Sequence, residues 1–192
     1  MILLDPDLSP SMLPLKAAGA VAANPPRAHR LPTSVTLSRF LKLAQTTVRL
    51  KGQVNALFTT DPAIRRLNKQ FRGKNKATDV LSFPACGFGA EEMAGDLAIS
   101  VPTALRQAVA QGHSLSVEVK VLMLHGLLHL SGLDHETDTG QMARREKLLR
   151  GELGLPQGLI ERVETPAKSV KTAATAKRVQ PGKSRRVLGK KS

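Results

Sequence analysis

At 192 residues the chain suits one domain with a substantial core and is too short for two of ordinary size. Its apolar content of 41% is that of a water-soluble protein, and no run approaches the roughly 20 apolar residues of a membrane-spanning helix. Asp5 and Asp7 stand where a secretory leader would be basic, so the sequence predicts a cytoplasmic protein.

In chain order, residues 2–4 are expected to form a short strand. Residues 9–33, with Pro10, Pro14, Pro25, Pro26 and Pro32, read as a long loop. Thr33 and Ser34 are capping residues for a helix to about Leu50, with Leu37, Phe40, Leu41 and Ala44 on one face. Residues 54–60 predict a strand, and Asp61-Pro62 opens a short helix with a capping acid and a first-turn proline. Residues 68–78 are polar and basic and read as a loop. Residues 80–83, closed by Pro84, predict a buried strand, and residues 95–100 predict another. The single cysteine, Cys86, excludes an internal disulfide, fits a reducing compartment and is expected to be a small buried thiol.

Three helices follow: residues 102–111, ending near Gly112; residues 116–130, apolar on nearly every side and therefore buried; and residues 139–153, bounded by Gly154 and Pro156. Helices interleaved with three or four short strands give an α+β class, helices packed on one small mixed sheet. From Pro166 onward there are nine Lys or Arg, two prolines and no acid. This predicts a disordered basic tail, residues 166–192, beyond a domain of residues 1–165. Such a tail attracts polyanions without reading sequence.

Three of the five histidines lie within eleven residues, His125-Gly-Leu-Leu-His129-Leu-Ser-Gly-Leu-Asp-His135. A spacing of four puts His125 and His129 one turn apart on a single helical face, able to converge on one ion. On a continuing helix His135 would lie about 240° round from His129 and roughly 9 Å further along. Gly132 resolves this, because a left-handed residue there ends the helix and turns the chain back. All-nitrogen ligation without a thiolate favours zinc, one per chain, with nickel and iron(II) the chemical alternatives. Three protein ligands leave a fourth position open, the pattern of a catalytic site, where the ion activates water.

A zincin-type protease needs Glu directly after the first histidine as general base; this chain has Gly126 there, which demotes a peptidase. Asp134, beside the third ligand, either orients a histidine or caps a turn.

Residues 125–135 resemble the H-G-x-L-H-L-x-G-x-D-H signature of the YbeY family of bacterial ribosomal-RNA maturation factors. Two further blocks agree in order: Leu67-Asn68-Lys69-Gln70-Phe71-Arg72-Gly73-Lys74 with Thr78-Asp79-Val80-Leu81-Ser82-Phe83-Pro84, and Gly95-Asp96-Leu97-Ala98-Ile99-Ser100. The resemblance implies a distantly zincin-like fold with a metal-bearing helix. It also implies a zinc endoribonuclease acting on single-stranded RNA, in 3′-end maturation of small-subunit ribosomal RNA and in ribosome quality control. Residues 9–33 and the tail look like additions to it.

The three histidines map onto the family's metal ligands and Arg72 onto an arginine regarded as functional there. Chemically, a guanidinium near the metal would stabilise charge building on phosphoryl oxygens. Lys69, Lys74 and Lys76 surround Arg72 as candidate RNA contacts, while Asp79 and Ser82 are expected to shape the site. Aromatic stacking has thin support, with only Phe71 and Phe88 near loops. Three readings stand: an RNA hydrolase, a zinc peptidase or other zinc hydrolase, and a ribosome-binding factor whose zinc is mainly structural.

Overall fold

The side-chain period of two in a strand decides how this sheet is covered. In the computed structural model, which describes residues 1–8, 27–86, 92–135 and 138–157, strand β2 (Gln53–Thr59) turns Val54, Ala56 and Phe58 to one face. Strands β1 (Ile2–Leu4) and β4 (Met93–Ser100) flank it in parallel. Strand β3 (Val80–Pro84) runs antiparallel to β4 at the edge, giving the order β1-β2-β4-β3. Leu97 and Ile99 of β4 join Phe58 on the larger core, whereas Ala98 between them faces the other way.

Helices α1 (Ser34–Val48) and α4 (Leu115–Leu130) cover the larger face. Eleven of the 16 residues of α4 are buried, which makes it the central element, as expected for a helix without a polar side. Helix α3 (Val101–Ala110) adds Val101 and Ala104 to the same core. Helix α2 (Asp61–Arg72) lies on the opposite face, where Ile64 and Leu67 meet Leu81, Phe83 and Ala98. Helix α5 (Gln141–Glu152) contributes Met142 and Leu149 to the larger core. The fold is therefore α+β, a four-stranded mixed sheet packed with helices.

Several local expectations change. Residues 68–72 are helical, so Lys69 and Arg72 stand on α2 and not in a loop. Asn68 explains the longer helix: it is only 2% exposed and donates through Nδ2 to the carbonyl of Lys76 at 2.8 Å, drawing the following loop back onto α2. The α2 cap is Thr60, whose hydroxyl accepts from Ala63 N. The Asp61 carboxylate instead accepts from Ser100, Thr103 and Arg106. Cys86 is exposed, not buried. Within the 9–33 segment, a 3-10 turn (Arg27–His29) is followed by Leu31, which packs with Leu8 in the larger core. Residues 9–26, Phe88 and the tail, on which further expectations fell, lie outside the described residues. No helix among those described is long and apolar enough to cross a membrane.

Candidate metal centre

The C-terminal end of α4 is where the sequence folds back on itself. Gly132 adopts φ +89°, a conformation that strains any residue with a Cβ, and no neighbouring atom crowds it. Its N–H donates to His129 O at 3.0 Å and Leu133 N donates to Leu128 O at 3.1 Å, the bonding that closes a helix through a left-handed glycine. The reversal delivers His135 to the two helical histidines. The three rings stand with centroids 4.9, 5.4 and 5.1 Å apart, and one ring nitrogen from each lies within 4.8 Å of the others.

These donors fit a metal ion. His125 Nδ1 is 3.0 Å from Glu146 Oε2 on α5. An ionised carboxylate only accepts, so Nδ1 carries the proton and Nε2 is left with its lone pair. That Nε2 faces His129 Nε2 at 3.2 Å. Nitrogens about 2.0–2.1 Å from a tetrahedral zinc would stand about 3.3 Å apart. The same 3.2 Å suits a hydrogen bond when His129 Nε2 carries its proton and two ligands of one cation when it does not.

Electrostatics favour a neutral His129. Burial holds the His129 imidazolium down to a pKa of about 4, helped by the positive charges of His125, His135 and Arg72, while Asp134 pulls the other way. His129 is thus neutral and able to ligate at physiological pH. Burial alone would raise the Glu146 carboxyl, but the hydrogen bond and charge of His125, with those of Arg150, outweigh it and bring the pKa to about 2. Arg150 is 4% exposed and grips Glu146 Oε1 through Nε at 3.0 Å and through Nη2. Sequence reasoning missed Glu146. Its signal was an acid spaced four and three residues from Met142 and Leu149, on the buried face of a helix that is otherwise strongly basic.

The predicted site residues divide by position. The three histidines converge, Asp134 lies in their field, and Arg72 at the end of α2 is near enough for its charge to act on His129. Ser82 abuts the metal helix itself: its hydroxyl donates to Gly126 O at 3.3 Å. Asp79 faces α3 instead, accepting from Gln107 Nε2 at 2.9 Å and from Val80 N at 2.8 Å, and its carbonyl accepts from Ser100 N. Lys69, Lys74 and Lys76 are exposed around the end of α2. Gly126 has a steric reason as well: a Cβ there would lie 2.7 Å from Leu97 Cδ2 and 3.2 Å from Ser82 Oγ. A glutamate after the first histidine would therefore require the Leu97 and Ser82 side chains to shift.

Comparison with known proteins gives the family of the chain. The profile of the family described as Endoribonuclease YbeY matches residues 29–154. Proteins named Endoribonuclease YbeY are similar at 50% identity over 133 residues in Koribacter versatilis, covering 69% of this chain and 86% of that protein. In Solibacter usitatus the identity is 50% over 129 residues, covering 67% and 85%. A solution structure from Thermotoga maritima is similar at 27% identity and a TM-score of 0.46, covering 64% of this chain and 86% of the other. The profile spans well over half the sequence and includes all three histidines, and on that ground the chain belongs to the YbeY endoribonuclease family.

Proposed function

We propose that the protein is a zinc-dependent endoribonuclease that cuts single-stranded RNA, acting in 3′-end maturation of small-subunit ribosomal RNA and in ribosome quality control in the cytoplasm. The observation that carries this reading is the convergence of His125, His129 and His135 with the Arg72 charge in their field. The histidines hold one zinc ion, and Glu146 keeps the His125 lone pair on the nitrogen that faces the other two. When bound, zinc polarises a phosphoryl oxygen and eases loss of the nucleophile's proton. Arg72 stabilises the charge that builds on the phosphoryl oxygens, and its planar fork suits two of them at once. Lys69, Lys74 and Lys76 contact the flanking backbone. Asp134 orients the ligand turn, while Asp79 and Ser82 hold β3 in place beside the metal helix. The basic tail, residues 166–192, adds sequence-independent attraction to the ribosomal subunit that weakens with salt.

A peptidase is disfavoured by Gly126, which leaves no proton acceptor beside the first ligand, where a side chain would also crowd Leu97. The test is elemental analysis of untagged protein together with cleavage of a single-stranded RNA and of casein, with and without a chelator. Expected are about one zinc per chain, RNA cleavage lost on chelation and restored by zinc, and intact casein. Cleavage indifferent to the chelator would overturn the zinc assignment. A ribosome-binding factor with structural zinc would instead unfold when the ligands are removed.

A further inference from the structure

We propose that Phe71 is a base-stacking platform, presenting its ring to a nucleobase of the single-stranded RNA whose phosphates meet Arg72 and its neighbouring lysines. This deepens the nuclease reading of the site and rests on it.

The position follows from how α2 meets the sheet. Ile64, Leu67 and Asn68 face inward, and Phe71 is the next member of that stripe at helical spacing. The sheet ends there, because β3 is its edge strand. Phe71 therefore overhangs the edge and remains 58% exposed, the one mostly exposed aromatic side chain among the described residues. It is nevertheless held. Its ring lies 5.1 Å from that of Phe83 at 67°, an edge-to-face pair. Phe83 is itself packed against the cluster under α2. The ring is thus set in place before any ligand arrives, so little freedom remains to be lost on binding.

Its surroundings select the ligand. Residues 69–76 carry four cations (Lys69, Arg72, Lys74 and Lys76), and no acid occurs from Leu67 to Thr78. A fixed aromatic face among cations is what a single strand recognises: phosphates take the charges, and any base supplies a π-face, so binding tolerates sequence. Arg72, the next residue, links this surface to the histidine cluster.

The chain has no Trp and no Tyr, so Phe71→Trp makes a single-tryptophan reporter at the proposed contact. The zinc-loaded variant is mixed in a stopped-flow instrument with a single-stranded RNA octamer, and binding is read before cleavage. Its emission should be quenched by the octamer and not by an abasic ribose-phosphate octamer of equal length. In parallel, Phe71→Leu should weaken octamer binding roughly 5- to 100-fold. Its abasic-octamer binding, zinc content and melting temperature should stay at wild-type values. Unquenched tryptophan at saturating RNA, or Phe71→Leu binding RNA as tightly as wild type, overturns the inference even if cleavage is normal. A wild-type chain that neither binds nor cuts the octamer removes the nuclease reading and this inference with it.

Discussion

Four of the described helix ends are closed by a glycine of left-handed conformation (Gly73, Gly112, Gly132 and Gly154), and those of α4 and α2 do opposite things with the same turn. At α4, Gly132 closes a helix that is buried almost throughout, and the returning chain brings His135 against rings backed by Glu146 and Arg150. At α2, Gly73 closes a helix at the sheet edge, and the returning chain carries Lys74 and Lys76 along the surface, tied down by Asn68. The first turn gathers three donors at one point, His129 neutral among them and His135 open to solvent, which suits a small cation. The second keeps its charges solvated and spread, which suits a long polyanion. One backbone device thus frames two chemically different surfaces, and the packing behind the turn decides which.

The sharpest way to break this comparison is at the histidines. His129→Ala should reduce zinc from about one per chain to background and abolish RNA cleavage. Zinc content that survives all of His125→Ala, His129→Ala and His135→Ala would remove the metal centre from α4.

At the other turn, Arg72→Ala should leave zinc content and melting temperature near wild type, since the side chain lies on an exposed helix end. The single-turnover cleavage rate should fall about 10²- to 10³-fold. Arg72→Lys should recover only part of this, because a point charge cannot reproduce the planar fork. A normal rate at saturating RNA would make Arg72 a binding residue and shift the catalytic role wholly to the α4 turn.

A smaller effect is expected behind the first turn. Glu146→Gln retains the shape but not the charge beside His125 Nδ1, and should weaken zinc binding about 10- to 100-fold in a chelator competition. Zinc affinity unchanged by this substitution would mean that His125 is oriented by packing alone.

The smallest effect is the acid sensitivity of the metal-free protein. His129 titrates near 4 when folded, below its usual 6.5, so the unfolded chain binds more protons between those values and stability falls as pH drops through that window. Glu146 titrates near 2 against a usual 4.5, and by the same sign its contribution is present above 4.5 and lost as pH falls toward 2. The carboxylate's contribution is of order 2 kcal/mol. Chemical denaturation from pH 7 to 3 should therefore show two successive losses, the second absent in Glu146→Gln. A flat profile would show that neither group is held away from its ordinary titration.

Much of this was legible without coordinates. Strand and helix positions follow from apolar period and from glycine and proline punctuation, which act within a few residues. The histidine cluster was legible for the same reason: His125, Gly126, His129, Gly132 and His135 lie in one local segment, and helix geometry with one reversal relates them. What the sequence left open lies at long separation. Residues 68–72 read as loop because their polarity outweighs their helical spacing, and only the sheet beneath shows why Asn68 turns inward. Glu146, 21 residues from His125, becomes a partner only when α5 packs on α4. The crowding of any side chain at position 126 comes from Leu97 and Ser82 on two strands. Local spacing thus determined which residues can ligate, because backbone geometry is the same wherever a helix occurs. Tertiary packing alone decided which nitrogen of His125 carries the proton, how near Arg72 stands to His129 and why Phe71 stays exposed, because each depends on where separate elements end against one another.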